Sequence, residues 1–296
     1  MFKTRVWWFG FLLLLFGLLG CQRTAATPTP QEKGEIILAT TTSTYDSGLL
    51  DALLPDFEKQ TGYVVKVIAV GTGKALRMGK EGNADVLLTH APAAEKPLVD
   101  EGWVVDYTLV MYNDFVVVGP PEDPAGIREA ASVAEAFTRI AQAEALFASR
   151  GDDSGTHKKE RAIWKAAGLN PEGAPWYLET GQGMGATLRV ASEKGAYALT
   201  DRGTFLALKD ILNLTILFEG DPILLNIYHI MRVNPERYPH VNAEGGKALI
   251  AFFVDPAVQE RIGRFGVEKF GQPLFHPAAG MTMEELEARF QKGGSE

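Results

Sequence analysis

Three short stretches combine hydroxyl side chains with glycine in a pattern suited to holding an oxyanion. The first is Thr40-Thr41-Thr42-Ser43-Thr44, followed by Ser47-Gly48; the second is Gly71-Thr72-Gly73-Lys74. The third is Ser149-Arg150-Gly151-Asp152-Asp153-Ser154-Gly155-Thr156. Hydroxyls donate hydrogen bonds, glycines let the backbone approach a ligand, and a helix N-terminus adds unpaired N–H groups with the positive end of a dipole. One such stretch alone reads equally well as a helix cap, for which a single Ser or Thr suffices. Three in one chain point to a shared anion cradle. Arg150 is the sharpest single residue, because its planar fork can donate more than one hydrogen bond to a tetrahedral oxyanion. The competing role for Arg150 is a structural ion pair with Asp152 or Asp153.

For these stretches to meet, each must sit where a strand gives way to a helix. Residues 35–38 are a β-branched run that reads as a strand, and 49–58 carry apolar residues at helical spacing, with the helix ending near Gly62. A second strand is expected over 63–70, a helix through about residue 79, a third strand over 84–90 and a fourth over 114–119. The alternation argues for an α/β chain with a parallel or mixed sheet and ligand sites at the carboxyl ends of its strands. The middle section starts afresh. A helix is expected over 132–143, with Val133, Ala136, Phe137 and Ile140 at helical spacing, then a strand at 146–148 leading into the third stretch. A charged helix at 158–167, a Pro/Gly loop at 168–175, a helix near 186–193 and a short apolar run at 196–200 follow. Residues 226–233 read as a long strand returning toward the first section, and 243–253 and 256–265 as amphipathic helices.

The chain has 296 residues, enough for two lobes or one large domain. A formal net charge of −8 argues against a general nucleic-acid role. It does not argue against an anion ligand, since a site is built from local donors. Lys3 and Arg5 precede an apolar run at 6–19, which is short for a membrane span and ends in Gly20-Cys21. This resembles the lipobox of bacterial lipoproteins. Residues 1–20 are therefore expected to be a signal peptide, Cys21 the lipidated residue, and 21–34 a flexible tether rich in Thr and Pro. Cys21 is the single cysteine, so neither an intrachain disulfide nor a zinc–thiolate site is expected.

Other motifs fall short of their chemistry. Gly151-Asp152-Asp153-Ser154-Gly155 superficially matches the nucleophile loop of trypsin-like proteases, but that reading needs a β-barrel. Gly71-Thr72-Gly73-Lys74 lacks the full phosphate-loop spacing, and Gly181-Gln182-Gly183-Met184-Gly185 has the wrong spacing for a dinucleotide fingerprint. The latter reads as a close turn at a cleft rim. The histidines at 90, 157, 229, 240 and 276 have no metal-ligand spacing, and His157 reads as a solvated helix residue that could border the site. No metal or cofactor is expected, and no nucleophile–base pair supports an enzyme.

Taken together, the stretches resemble the substrate-binding proteins of bacterial tungstate ABC importers, a branch of the two-lobed periplasmic oxyanion binders. The likeness rests on Thr40–Thr44 with Ser47-Gly48-Leu49-Leu50, Val70-Gly71-Thr72-Gly73-Lys74-Ala75-Leu76 and the segment from Ala84 to Pro92, which includes Leu88-Thr89-His90. It rests also on Asn113–Pro120 and on Phe147–His157. The resemblance covers roughly residues 35–275. It implies a type II periplasmic-binding fold, with lobe 1 from 35–115 and 223–296, lobe 2 from 116–222, and a mixed sheet flanked by helices in each. It further implies that Thr41, Thr42 and Ser43, with Thr72 and Gly73, donate from the first lobe. Arg150, Ser154, Gly155 and Thr156 would close from the other. The implied partners are a tungstate anion, an ABC permease and, through Cys21, the outer face of a membrane, with the protein itself a monomer. Molybdate, nearly identical in size and charge, stays open as the ligand, as do phosphate and sulfate. One departure is Asn226-Ile227-Tyr228, where many relatives have Asn-Pro-Tyr; it lies in the return segment.

Overall fold

The structure is a computed structural model and describes residues 33–293. The signal peptide, Cys21 and most of the tether lie outside the described residues. The chain opens with β1 (Gly34–Thr41), a one-turn helix α1 (Thr42–Asp46), α2 (Leu49–Thr61) and β2 (Tyr63–Val70). The sequence places a single helix after the hydroxyl run, but two form. Thr41 caps the first, and Gly48, at φ 79°, turns the chain into the second. That left-handed conformation is open to glycine at little cost.

Next come α3 (Thr72–Lys80), β3 (Val86–Thr89), α4 (Pro92–Asp100) and β4 (Val104–Gly119). The helix α4 was not expected, and the strand expected over 84–90 is shorter, releasing His90 into a turn. The strand expected over 114–119 is the end of a 16-residue strand. Its first part has polar and charged residues at 106–108 and 113–114, which hides its length from a pattern search. The middle section holds α5 (Val133–Gln142), β5 (Phe147–Ser149), α6 (Gly155–Ala166), β6 (Tyr177–Glu179), α7 (Met184–Lys194), β7 (Ala198–Asp201), α8 (Arg202–Leu208) and β8 (Thr215–Phe218). Here α6 starts three residues before the expected 158, at the hydroxyl stretch itself. The chain returns through β9 (Leu225–Val233), then α9 (Ala243–Val254), α10 (Pro256–Arg264), α11 (Val267–Phe270), β10 (His276–Pro277) and α12 (Met283–Gly293).

The strands β1, β2 and β3 are mutually parallel, and β9 runs antiparallel to β3, giving the order β10-β4-β9-β3-β1-β2. The sheet is thus mixed, as expected. Strand β4 joins the two halves. It pairs with β9 as far as Asp114 and with β7 from Phe115 onward. Asn113 on β4 lies opposite Asn226 on β9, at the point where one pairing gives way to the other. Two large apolar clusters follow this layout. One runs from Ile36, Leu50 and Phe57 along Val116 and Val118 of β4 to Leu188 and Phe205. The other, built on Phe137, Phe147, Trp164 and Tyr197, belongs to the middle section. The carboxyl ends of β1 and β5 and the N-termini of α1, α3 and α6 are thereby brought to one cleft.

Candidate functional site

Thr40 belongs to β1, and its hydroxyl is spent on Leu88 O at 2.8 Å. Thr41 has extended backbone, as an N-cap does, and its Oγ1 accepts from Thr44 N at 3.2 Å. Thr42 and Ser43 then begin α1. On the adjacent edge Gly71 caps α3 without a side-chain bond, leaving the first N–H groups of that helix to a ligand or solvent. Across the cleft Ser154 caps α6, its Oγ accepting from His157 N at 3.3 Å. The first α6 backbone bond is Lys158 N to Ser154 O, at 2.9 Å. The Gly155 and Thr156 N–H groups precede it and point outward from the helix end.

These elements enclose an inner chamber of about 10 Å³, lined by Thr41, Thr42, Ser43, Gly71, Thr72, His90, Arg150, Ser154, Gly155 and Thr156. Eight of the nine residues singled out in the sequence therefore converge; Gly73 lies instead on the wider cleft of about 1430 Å³ outside. That outer cleft also takes in Asp46, Asp152, Asp153 and Asp201, together with Gly183 and Gly185 from the glycine-rich turn. No carboxylate lines the inner chamber.

Arg150 forms the structural ion pair and also lines the inner chamber. Its Nη2 lies 2.5 Å from Asp152 Oδ2, and the side chain is 8 % exposed. Its Nε, however, is buried without a hydrogen-bond partner among the described residues. An unpaired donor of this kind costs about 1–3 kcal/mol, and Arg150 is itself a lining residue of the chamber. Burial pushes the Asp152 carboxyl up, but bonds from Ser154 and the Arg150 charge outweigh it and hold the group below its usual range. Asp153 pairs with Lys158 at 3.0 Å. Beneath the loop, Glu160 accepts from Ser149 Oγ, Tyr177 Oη and Trp164 Nε1 at 2.8, 2.6 and 3.2 Å. Burial nevertheless pushes that carboxyl up to about 7.

Two residues of the site were missed or misread. His90 reads from sequence as one of several scattered histidines, yet its Nε2 lies 3.1 Å from Thr41 Oγ1 and 3.3 Å from Ser43 Oγ. The available signal was its place just past the carboxyl end of a buried strand, where α/β sheets put ligands. His157 is buried rather than solvated, and its Nδ1 accepts from Asp153 N at 3.0 Å. It braces the Asp152–Ser154 turn and does not line the inner chamber. The turn holding His90 is fixed by Glu95, whose Oε1 accepts from Thr89 Oγ1 at 2.6 Å and Ala91 N at 2.7 Å. Its Oε2 lies 2.8 Å from Tyr107 Oη and 3.0 Å from His229 Nδ1. Burial pushes this carboxyl up, but the His229, Thr89 and Ala91 contacts prevail and hold it below the usual range. The segment that carries the departure at Ile227 has a clear place. Asn226 Oδ1 meets His90 Nδ1 at 2.9 Å, and Nδ2 donates to Asn113 Oδ1 at 2.7 Å. The crossover forms with Ile at 227. No group of three or more metal-ligating side chains occurs among the described residues.

Chemically, the chamber is a set of hydroxyl and amide donors with one guanidinium, fitted to a small anion. Residues 24–257 match the model of the PBP superfamily domain. The chain is 48 % identical over 277 residues to a tungstate-binding protein, TupA, of Peptoclostridium acidaminophilum, covering 90 % of this chain and 96 % of that one. Among solved structures, the tungstate-binding protein TupA of Desulfovibrio alaskensis is 47 % identical with a TM-score of 0.76, covering 83 % of this chain and 99 % of its own. A structure described as the tungstate ABC transporter of Geobacter sulfurreducens is 49 % identical with a TM-score of 0.70, covering 78 % and 97 %. The chain belongs to the periplasmic binding protein superfamily, within the family that these tungstate-binding proteins represent.

Proposed function

We propose that the protein captures tungstate outside the cytoplasm and delivers it to the permease of an ABC importer. The observation that carries this is the buried, unpartnered Arg150 Nε at the wall of a chamber lined by donors and no carboxylate. Tungstate at neutral pH is a tetrahedral dianion whose oxygens only accept. In this reading Thr41, Thr42, Ser43 and Thr72 face the anion from lobe 1 (35–115 and 223–296). Arg150, Ser154, Gly155 and Thr156 face it from lobe 2 (116–222). Gly73 stands at the mouth. The lobes close by bending where β4 passes from β9 to β7, and the closed shape is what the permease recognises. Cys21, once lipidated, holds the receptor as a monomer on the membrane surface.

A hydrolase reading would use Ser43, His90 and Asn226 as nucleophile, base and orienting group. The hydroxyl–imidazole distance of 3.3 Å permits it, but Thr41 lies nearer the same nitrogen. A thermal-shift series with tungstate, molybdate, sulfate and phosphate tests the proposal. A ligand at 100 times its Kd stabilises by about 2.7 kcal/mol. Tungstate and molybdate are expected to give the largest shifts. Stabilisation by none of the four would remove the oxyanion reading.

A further inference from the structure

His90 lines the inner chamber, but the donor set described so far gives it no task. Asn226 Nδ2 donates to Asn113 Oδ1, so Asn226 turns its oxygen toward His90 and His90 Nδ1 carries a hydrogen. In the neutral ring Nε2 is then a lone pair. It draws a hydroxyl hydrogen from Thr41, at 3.1 Å, or from Ser43, at 3.3 Å. Thr44 Oγ1, 2.7 Å from Thr41 Oγ1, extends the same chain. A hydrogen spent on Nε2 is lost to an anion whose oxygens only accept.

Charge points the same way. Arg150 is matched by Asp152, so the pair offers little net charge to a dianion. His90 is the other titratable side chain of the inner chamber. Burial holds its imidazole below the ordinary value and so neutral. The Asn226 bond and the charges of Glu95 on α4 and Asp201 ahead of α8 act the other way, while Lys159 on α6 opposes them. Tyr228 on β9 lies against the ring, centroids 4.7 Å apart and planes tilted by 31°, and its phenol is pushed up by burial and stays neutral. An aromatic face at that distance favours an imidazolium.

We infer that His90 takes up a proton from solvent when a tetrahedral dianion enters the chamber. The proton turns Nε2 from acceptor to donor and frees the Thr41 and Ser43 hydroxyls for the anion. The proton adds to Nε2, and no bond within the anion changes. The inference rests on the anion reading of the site and adds to it a coupling between binding and protonation.

Calorimetric titration of tungstate near pH 7.5, in phosphate-free buffers of differing ionisation enthalpy, tests it. Up to one proton taken up per anion is expected, with Kd weakening by up to about tenfold per pH unit as pH rises through that range. In His90→Gln the uptake is expected to vanish and Kd to become weaker and independent of pH. Glu160 is a second group that could titrate here, so Glu160→Gln is expected to keep the uptake. Tungstate binding without proton uptake in the wild type overturns the inference alone, as does uptake that persists in His90→Gln. If His90→Gln fails to fold, the wild-type ring nitrogens decide. Nitrogen-15 histidine spectra should lose a lone-pair signal on tungstate addition, and its survival overturns the inference. Failure to bind tungstate, molybdate, sulfate or phosphate at any pH overturns the anion reading and the inference together.

Discussion

Gly155→Ala separates closure of the site from stability of the fold. Gly155 is the first residue of α6 and faces His90 and Thr72 across the chamber. A Cβ at that position would lie 3.1 Å from His90 Cε1 and 3.3 Å from Thr72 Oγ1. Neither neighbour can easily yield. His90 is held at both ring nitrogens, and Thr72 is a buried residue in the first turn of α3. The strain must then appear as a few tenths of an ångström of separation between the two walls. Overpacking of this kind costs about 1–3 kcal/mol, which corresponds to roughly a 5- to 150-fold weaker Kd. The helix itself suffers nothing, because alanine is favoured over glycine in a helix by up to about 1 kcal/mol. The two effects have opposite signs in two assays. Thermal unfolding without ligand should be unchanged or slightly raised, whereas tungstate affinity by calorimetry should fall. A Kd within twofold of the wild type would refute the argument that the anion is held by closure of α6 onto His90 and Thr72.

Three further outcomes are expected. Arg150→Ala should weaken tungstate binding by a few kcal/mol, the scale of losing a buried charged partner; an unchanged calorimetric titration would remove Arg150 from the site. Glu95→Gln should cost about 3 kcal/mol of stability at pH 7, by urea unfolding, because it breaks a buried charged network. Since the folded Glu95 carboxyl titrates below its unfolded value, its contribution is present above the unfolded value and is lost as pH falls through the folded one. The Glu95→Gln deficit should therefore shrink in acid, and a pH-independent deficit would contradict the ionised assignment. Cys21→Ala should leave the chain without lipid, so that membrane fractionation with a labelled fatty acid finds no label; retained label would place the anchor elsewhere.

Much of the site was legible because its residue types are dictated by position. Thr41, Ser154 and Gly71 each sit where a helix starts, and a hydroxyl or glycine there has a local signature. Arg150 stood out by its charge among neutral donors. The role of His90 is non-local. It depends on Asn226, 136 positions away, and on a turn fixed by Glu95, which belongs to a helix the sequence did not suggest. Pro97 within α4 and the brevity of that helix obscured its period. The length of β4 was hidden for a related reason. Residues 110–119 are buried on both faces and 105–109 only in part, so no single alternation runs through the strand.

The location of the carboxylates bears on ligand choice. Asp46, Asp152 and Asp153 lie in or beside the proposed anion-binding stretches, near enough in sequence to leave phosphate open as a ligand. Folding turns all three onto the outer cleft. A phosphate that keeps its proton needs an acceptor, and the inner chamber offers a lone pair at His90 Nε2, for which Thr41 and Ser43 already compete. Donating to it would free those hydroxyls, but once Nε2 carries its own proton the phosphate hydrogen meets only donors. A fully ionised dianion meets no such conflict once Nε2 is protonated. Preference for tungstate or molybdate over phosphate then follows from which hydrogens the chamber can supply. Lowering the pH should sharpen it as long as the anion itself stays ionised.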